Sequence, residues 1–362
     1  MVRIELVNHS DNIESLLELH RNAFGLLISE EYWKWKFMDN PLAQDIENVV
    51  VAIENGKIVG ARPFMFGEMW LKDKKVRVAQ HCDTMVHPHH QRKGIFYKMG
   101  KFALELLQKQ GIAFSYGFPN MLSRGGFIKQ GYKRVTDTMA DFLVINSNKL
   151  ISTKIENWVL ASGASFIFNI FFNRKKQTEL SDENFFEFEV LDRIDNRPTN
   201  IESLRSNSVV DLVRSEDFLR WRFDAHPNFD YSYILARKNG ELWGYAVISF
   251  QKDSDGVFFG RIVDHVVRDS DFECYKYLMN KCFVELEKRR CDCYLIFTIG
   301  EPKLKETLLK DFGFKSFGKF PYNRLLDDGY LDAIQINEDF CFPVDIYNKN
   351  NWRVTYAFYD QT

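Results

Sequence analysis

Apolar and polar residues alternate with period two in several short runs and recur at helical spacing in several longer ones, so the chain reads as a mixed α/β protein. Val49 to Ile53 and Lys57 to Phe64 flank Asn55-Gly56, and Tyr231 to Ala236 and Glu241 to Phe250 flank Asn239-Gly240. Both pairs predict tight hairpins, because a turn that matches strand twist needs positive φ at its two central residues. Ile95 to Gln110 and Phe272 to Arg289 have helical periodicity, and each precedes an apolar strand, Ala113 to Phe118 and Cys293 to Thr298.

These elements form two ordered copies. Ser29-Glu30-Glu31-Tyr32-Trp33-Lys34-Trp35-Lys36-Phe37 is echoed by Ser215-Glu216-Asp217-Phe218-Leu219-Arg220-Trp221-Arg222-Phe223. Pro41 matches Pro227, Asp83 in the strand Val78 to Val86 matches Asp264 in Arg261 to Val267, and Gly131-Tyr132-Lys133 matches Gly313-Phe314-Lys315. The offset drifts only between 181 and 186 residues, which loop-length differences absorb. Each copy predicts a mixed, mostly antiparallel sheet flanked by helices, with one helix making a parallel crossover between the central strands. The expected division is a domain over 1–148, a connector over 149–205 and a second domain over 206–362.

Composition narrows the function. A chain of 362 residues with 45 % hydrophobic side chains fills two cores, and a net charge of −2 supplies no global attraction to nucleic acid. Six cysteines without paired C-x-x-C spacing indicate a reducing compartment. The opening Met-Val-Arg-Ile-Glu-Leu lacks the basic-then-apolar pattern of an export signal, so the cytoplasm is the expected location. Trp158 to Phe172 is too short to span a bilayer. It reads as a connector helix packed on the lobes or, over 155–173, as an amphipathic helix at a membrane interface.

The sharpest chemical signal is Val86-His87-Pro88-His89-His90-Gln91-Arg92-Lys93-Gly94-Ile95-Phe96, running off a strand into a helix. Backbone N–H groups at such a helix start form an anion site, Gly94 allows close approach, and Arg92 and Lys93 add positive charge. His87, His89 and His90 read as a phosphate-facing surface, and no metal is expected.

This segment resembles the acetyl-coenzyme A cradle of the GNAT superfamily, Q/R-x-x-G-x-G/A after V-x-P, through Val86-x-Pro88 and Gln91-x-x-Gly94. Phe96 stands where a small residue is usual. Asn120, Ser123, Phe127 and Gly131-Tyr132 resemble the family run that follows the fifth strand, except that Phe127 replaces the tyrosine that protonates the departing thiolate. The resemblance implies coenzyme contacts at Met85, Val86, Gln91, Arg92, Lys93, Gly94, Ile95, Phe96, Asn120, Ser123 and Phe127, with an N–H near Met85 or Val86 polarising the acyl carbonyl. The second copy reads Val267-Arg268-Asp269-Ser270-Asp271-Phe272 at the cradle position, and its carboxylates would repel a pyrophosphate.

Acid and base assignments are less direct. Gln80 occupies the place of the glutamate base of histone-modifying relatives, and an amide cannot serve. His81 and Asp83 share a strand face unless a bulge intervenes, His81 suited to take the amine's proton and Asp83 to orient a cationic amine, although Asp264 suggests a structural role for Asp83. Tyr116 and Tyr132 are candidate acids for the thiolate, or packing residues. The aromatic tail from Trp352 should be packed, and by likeness to Eis-type tandem acetyltransferases Thr362 would enter the cleft. These readings give acetyl transfer from acetyl-coenzyme A to a primary amine of a small molecule, by association an amino sugar or sugar nucleotide. The alternatives are a Fem-type aminoacyltransferase or an inactive coenzyme-binding protein.

Overall fold

The computed structural model describes residues 1–43, 49–152, 185–194, 199–206, 208–316, 329–337 and 340–359. The apolar segment 158–172, the polar residues 181–184 and 196–198, and Thr362 lie outside them.

The first half contains β1 (Arg3–Val7), α1 (His9–Phe24), α2 (Glu30–Phe37), β2 (Val49–Glu54), β3 (Lys57–Arg62), β4 (Phe64–Leu71), β5 (Lys74–His81), β6 (Met85–Val86), α3 (Ile95–Lys109), β7 (Phe114–Gly117), α4 (Met121–Lys129), β8 (Lys133–Thr138), β9 (Asp141–Val144) and α5 (Ser147–Ser152). The remainder contains β10 (Glu187–Leu191), β11 (Val210–Leu212), α6 (Glu216–Leu219), β12 (Tyr231–Lys238), β13 (Glu241–Lys252), β14 (Phe258–Val267), α7 (Phe272–Lys288), β15 (Cys293–Ile296), β16 (Thr298–Ile299), α8 (Pro302–Lys310), β17 (Lys315–Ser316), β18 (Gly329–Gln335) and β19 (Val354–Thr355).

The repeated segments start alike because they are capped alike. Ser29 Oγ accepts the Tyr32 N–H at 3.0 Å, and Ser215 Oγ accepts the Phe218 N–H at 3.2 Å. Acidic residues follow each cap in the first turn, where the helix dipole favours negative charge. The aromatic echo is core: Trp33, Trp35, Phe37, Phe218, Trp221 and Phe223 are all buried. One apolar cluster holds side chains from both halves, so the lobes share a core.

Pro63 separates β3 from β4, and Cys82–Thr84 separates β5 from β6, which splits the first lobe's sheet into β1-β2-β3-β6 and β11-β4-β5-β7-β18-β8. The second lobe's sheet has the order β10-β12-β13-β14-β15-β9-β17. β5 with β7, and β14 with β15, are the parallel pairs, crossed over by α3 and α7. The lobes also exchange strands, and β11 pairs with β4 at the edge of the first lobe's sheet. β18 lies between β7 and β8 of the first lobe, and β9 lies between β15 and β17 of the second.

Candidate active site

The segment after β6 is open. Gly94 caps α3 with φ +76°, and nothing lies within 4 Å of where a Cβ would stand. Gln91, Arg92, Lys93 and Gly94 are exposed. The N–H groups of Arg92 to Phe96 have no acceptor among the described residues, those of Gly94 to Phe96 because the start of a helix leaves them without one. Gln91 Nε2 donates to the Val86 carbonyl at 3.3 Å and ties the loop to the strand. His90 pairs with Glu54 at 3.0 Å, and His87 Nδ1 accepts the His89 N–H at 3.3 Å, so two of the three imidazoles organise the turn. Phe96 points away from the amides and packs where Gly126 has no side chain, since a Cβ there would fall 2.4 Å from its ring.

Beside this turn the sheet splays. β5 and β7 pair only through Val78 with Phe114, Ala79 with Ser115 and Gln80 with Tyr116. Asp83, at φ +43°, breaks the strand, which resumes as β6 against β3 alone. The His87 N–H donates to the Val59 carbonyl at 2.9 Å, so strand alternation turns the Val86 N–H away from β3 and into the gap.

The candidate side chains divide between the two faces. Toward α3 and α4, the His81 ring stacks on Phe127 at 3.9 Å and meets the edge of Tyr132 at 4.8 Å. It lies against Gly117, where a Cβ would come within 2.2 Å of Nε2. Burial first, and the Arg62 charge second, hold the His81 pKa well below its ordinary value, so the imidazole is neutral. The Tyr132 hydroxyl donates to Ser115 Oγ at 3.0 Å, and burial raises its pKa. On the other face, the Tyr116 hydroxyl donates to Gln80 Oε1 at 3.2 Å, and Asp83 pairs with the buried Lys36 at 2.6 Å. His81 and Asp83 therefore act on opposite sides, because the turn at Asp83 breaks the strand's parity.

Several buried polar atoms on β5 and the turn after it have no partner, Gln80 Nε2, both His81 nitrogens and Thr84 Oγ1, and Arg62 Nε on β3 has none either. Buried polar groups are normally paired, so unpaired ones beside this opening fit a polar guest. Together with the free amides at Gly94, they suit an acyl-coenzyme A. Asn120 and Ser123 sit at the start of α4, where Asn120 Oδ1 accepts the N–H groups of Leu122 and Ser123 at 3.1 and 3.0 Å.

Residues 4–134 match the acetyltransferase (GNAT) domain family. A crystal structure of a GCN5-related N-acetyltransferase from Anabaena variabilis ATCC 29413 superposes with a TM-score of 0.62 at 14 % identity, covering 93 % of this chain and 73 % of that one. A conserved protein of unknown function from Enterococcus faecalis V583 gives 0.60 at 12 % identity, with the same coverage of 93 % and 73 %. A Pyrococcus horikoshii protein gives 0.53 at 14 % identity over 98 % and 93 % of the two chains. No curated protein matches the chain. The chain carries the GNAT fold in tandem.

The second GNAT lobe has no vacancy at the equivalent places. Asp271 Oδ1 accepts the N–H groups of Glu273 and Cys274 at 3.0 and 3.1 Å, so a side-chain carboxylate already takes the helix-start amides. The splay beyond β15 holds the chain's own tail, with β19 paired to β16 through Thr298 with Thr355 and Ile299 with Val354. Thr355 Oγ1 donates to Asp264 at 2.7 Å, and Asp264 also takes Arg214 at 2.8 and 3.1 Å. Gly300 admits the tail, since a Cβ there would lie 2.0 Å from the Trp352 carbonyl oxygen. The tail ends its described course at Tyr359, stacked at 3.9 Å on Phe118 beside the first lobe's gap.

Two residues beside the candidate site escaped sequence reasoning. Lys36 was visible as the cation repeated at Arg222, but nothing linked it to Asp83. Arg62 is a single arginine before Pro63, and no spacing sets it apart.

Proposed function

We propose that the chain is an N-acetyltransferase, moving an acetyl group from acetyl-coenzyme A to the primary amine of a small cytoplasmic molecule, with an amino sugar or sugar nucleotide as the expected acceptor. Residues 1–148 would be the acyltransferase domain, 149–205 the connector and 206–362 the degenerate copy. The observation carrying this reading is the row of free amides from Arg92 to Phe96 beside a gap into which the Val86 N–H points.

Acetyl-coenzyme A would bring the activated thioester. The amides around Gly94, with Arg92 and Lys93, would hold its pyrophosphate. The Val86 N–H would polarise the acyl carbonyl, with Met85 shaping the same wall. The amine would approach from the opposite face, where Asp83, fixed by Lys36, would orient it. Gln80 cannot take the amine's proton, so the proton would leave through water.

Calorimetric titration with acetyl-coenzyme A should show binding, and thiol release should depend on an added amine from a panel including hexosamines. Absence of binding overturns the proposal, whereas binding without release to any amine reduces the chain to a coenzyme-binding protein.

A further inference from the structure

Arg62 is fully buried at the end of β3, facing α3 and α4. Its hydrogen-bond partners are neutral: Gln130 Oε1 at 2.9 Å and the Tyr132 hydroxyl at 3.4 Å. The rings of Phe127, Phe64 and Phe96 lie 5.0, 5.7 and 5.9 Å from its Cζ. The ionisable groups facing it are His81 from β5 and Tyr132 from the start of β8, and neither carries negative charge. Among the described residues Arg62 has no carboxylate partner.

Among the described residues three other buried cations pair with carboxylates, while Arg222, also fully buried, donates to the carbonyls of Ala357 and Tyr359. Arg214 pairs with Asp211 and Asp264, Arg353 with Asp211 and Glu301, and Lys36 with Asp83. An uncompensated buried charge is costly, and Arg62 lies on β3, the strand that pairs with β6 beside the opening.

We propose that Arg62 stabilises, through its electric field, the thiolate that leaves during acyl transfer. The inference rests on the acetyltransferase reading. In that reaction the amine nitrogen attacks the thioester carbon, the C–N bond forms, the C–S bond breaks and its electron pair passes to sulfur. The amine's proton goes to water, and the thiolate later takes one from water. Phe127, packed between Arg62 and His81, has no proton to give, and the Tyr132 and Tyr116 hydroxyls donate to Ser115 Oγ and Gln80 Oε1, so the sulfur departs as an anion. The guanidinium supplies the opposite charge from a position buried away from water. Arg62 acts without touching the sulfur, and so is a positioning residue for charge.

The test uses the full-length chain with bound coenzyme A in its thiol form, following thiolate ultraviolet absorbance against pH. The bound thiol should titrate about one unit or more below free coenzyme A in the wild type. Arg62→Lys should retain the depression, and Arg62→Gln should abolish it while leaving the KM for the amine unchanged and lowering kcat about tenfold or more. An unshifted thiol in the wild-type complex overturns the proposal with no variant needed, as does an equal shift in wild type and Arg62→Gln. Failure of coenzyme A to bind in calorimetry instead overturns the acetyltransferase reading on which the proposal stands.

Discussion

Trp35 and Trp221 exchange hydrogen bonds across the two lobes. The indole N–H of Trp35 donates to the Trp221 carbonyl at 2.7 Å, that of Trp221 to the Trp35 carbonyl at 2.6 Å, and the rings stack at 5.6 Å. Because the two are matched members of the repeat, each contributes the same surface to the other, as subunits do across a twofold axis. The lobes form a pseudo-dimer within one chain.

Replacing either tryptophan by phenylalanine keeps the apolar bulk but leaves a buried carbonyl without its donor. Each variant should lose about 1–3 kcal/mol of stability in urea unfolding. The symmetry predicts losses of similar size for Trp35→Phe and Trp221→Phe, and a double mutant that loses less than their sum. A loss confined to one of the two would show that the contact is not symmetric in energy.

The repeat itself was legible, because hairpin turns, capping serines and aromatic spacing are local signals. The Asn-Gly turns at 55–56 and 239–240 have positive φ at both residues, and α3 and α7 begin where the periodicity placed them. The exchange of β9 and β18 was not legible. Alternation shows that a segment is a strand but not which sheet it joins, and β9 has the same pattern in either lobe. The faces of His81 and Asp83 were open for a similar reason, since alternation puts both on one face only where the strand is regular, and Asp83 at φ +43° is not a glycine that would advertise the break. Arg62 was invisible because its meaning lies in the missing carboxylate, and an absence in space leaves no mark on a sequence.

The Lys36–Asp83 pair gives a second prediction. Both side chains are nearly excluded from solvent, at 1 % and 10 % relative exposure. Lys36→Met would strand a carboxylate there and should cost about 3–5 kcal/mol, whereas the double variant Lys36→Met/Asp83→Asn should recover much of that loss. Chemical denaturation of the three proteins decides the matter. If Asp83 also orients the amine, the double variant will be folded yet show a raised KM for the acceptor and an unchanged KM for acetyl-coenzyme A.

Coenzyme stoichiometry follows from the contrast between the lobes. One lobe offers free amides at Gly94, and the other has them taken by Asp271 and its gap filled by β19. Calorimetry should give one acetyl-coenzyme A per chain. Gly94→Val places a β-branched side chain at φ +76°, a conformation such residues resist, and should weaken binding about tenfold or more with little change in unfolding midpoint. A second binding event that survives in Gly94→Val would mean that the tail leaves the second lobe.

Four of the buried histidines set the response to acid. Burial lowers His9 to about 4 and, with the Arg222 and Lys36 charges, His226 to about 3. His81 and His265 are held well below the ordinary value, mainly by burial. In the unfolded chain all four titrate near 6.5, so below that pH the unfolded state binds protons that the folded state refuses. Their contribution to stability is complete above about pH 6.5 and is lost as pH falls from there through the folded-state values. Each fully excluded proton steepens the loss by about 1.4 kcal/mol per pH unit. Urea unfolding at pH 7 and pH 5 should show a marked loss, and His226→Gln should shrink it by about one proton's share. Equal slopes for the variant and the wild type would mean that His226 takes up its proton without unfolding, and that the Trp35 and Tyr32 rings packed around it open readily to water.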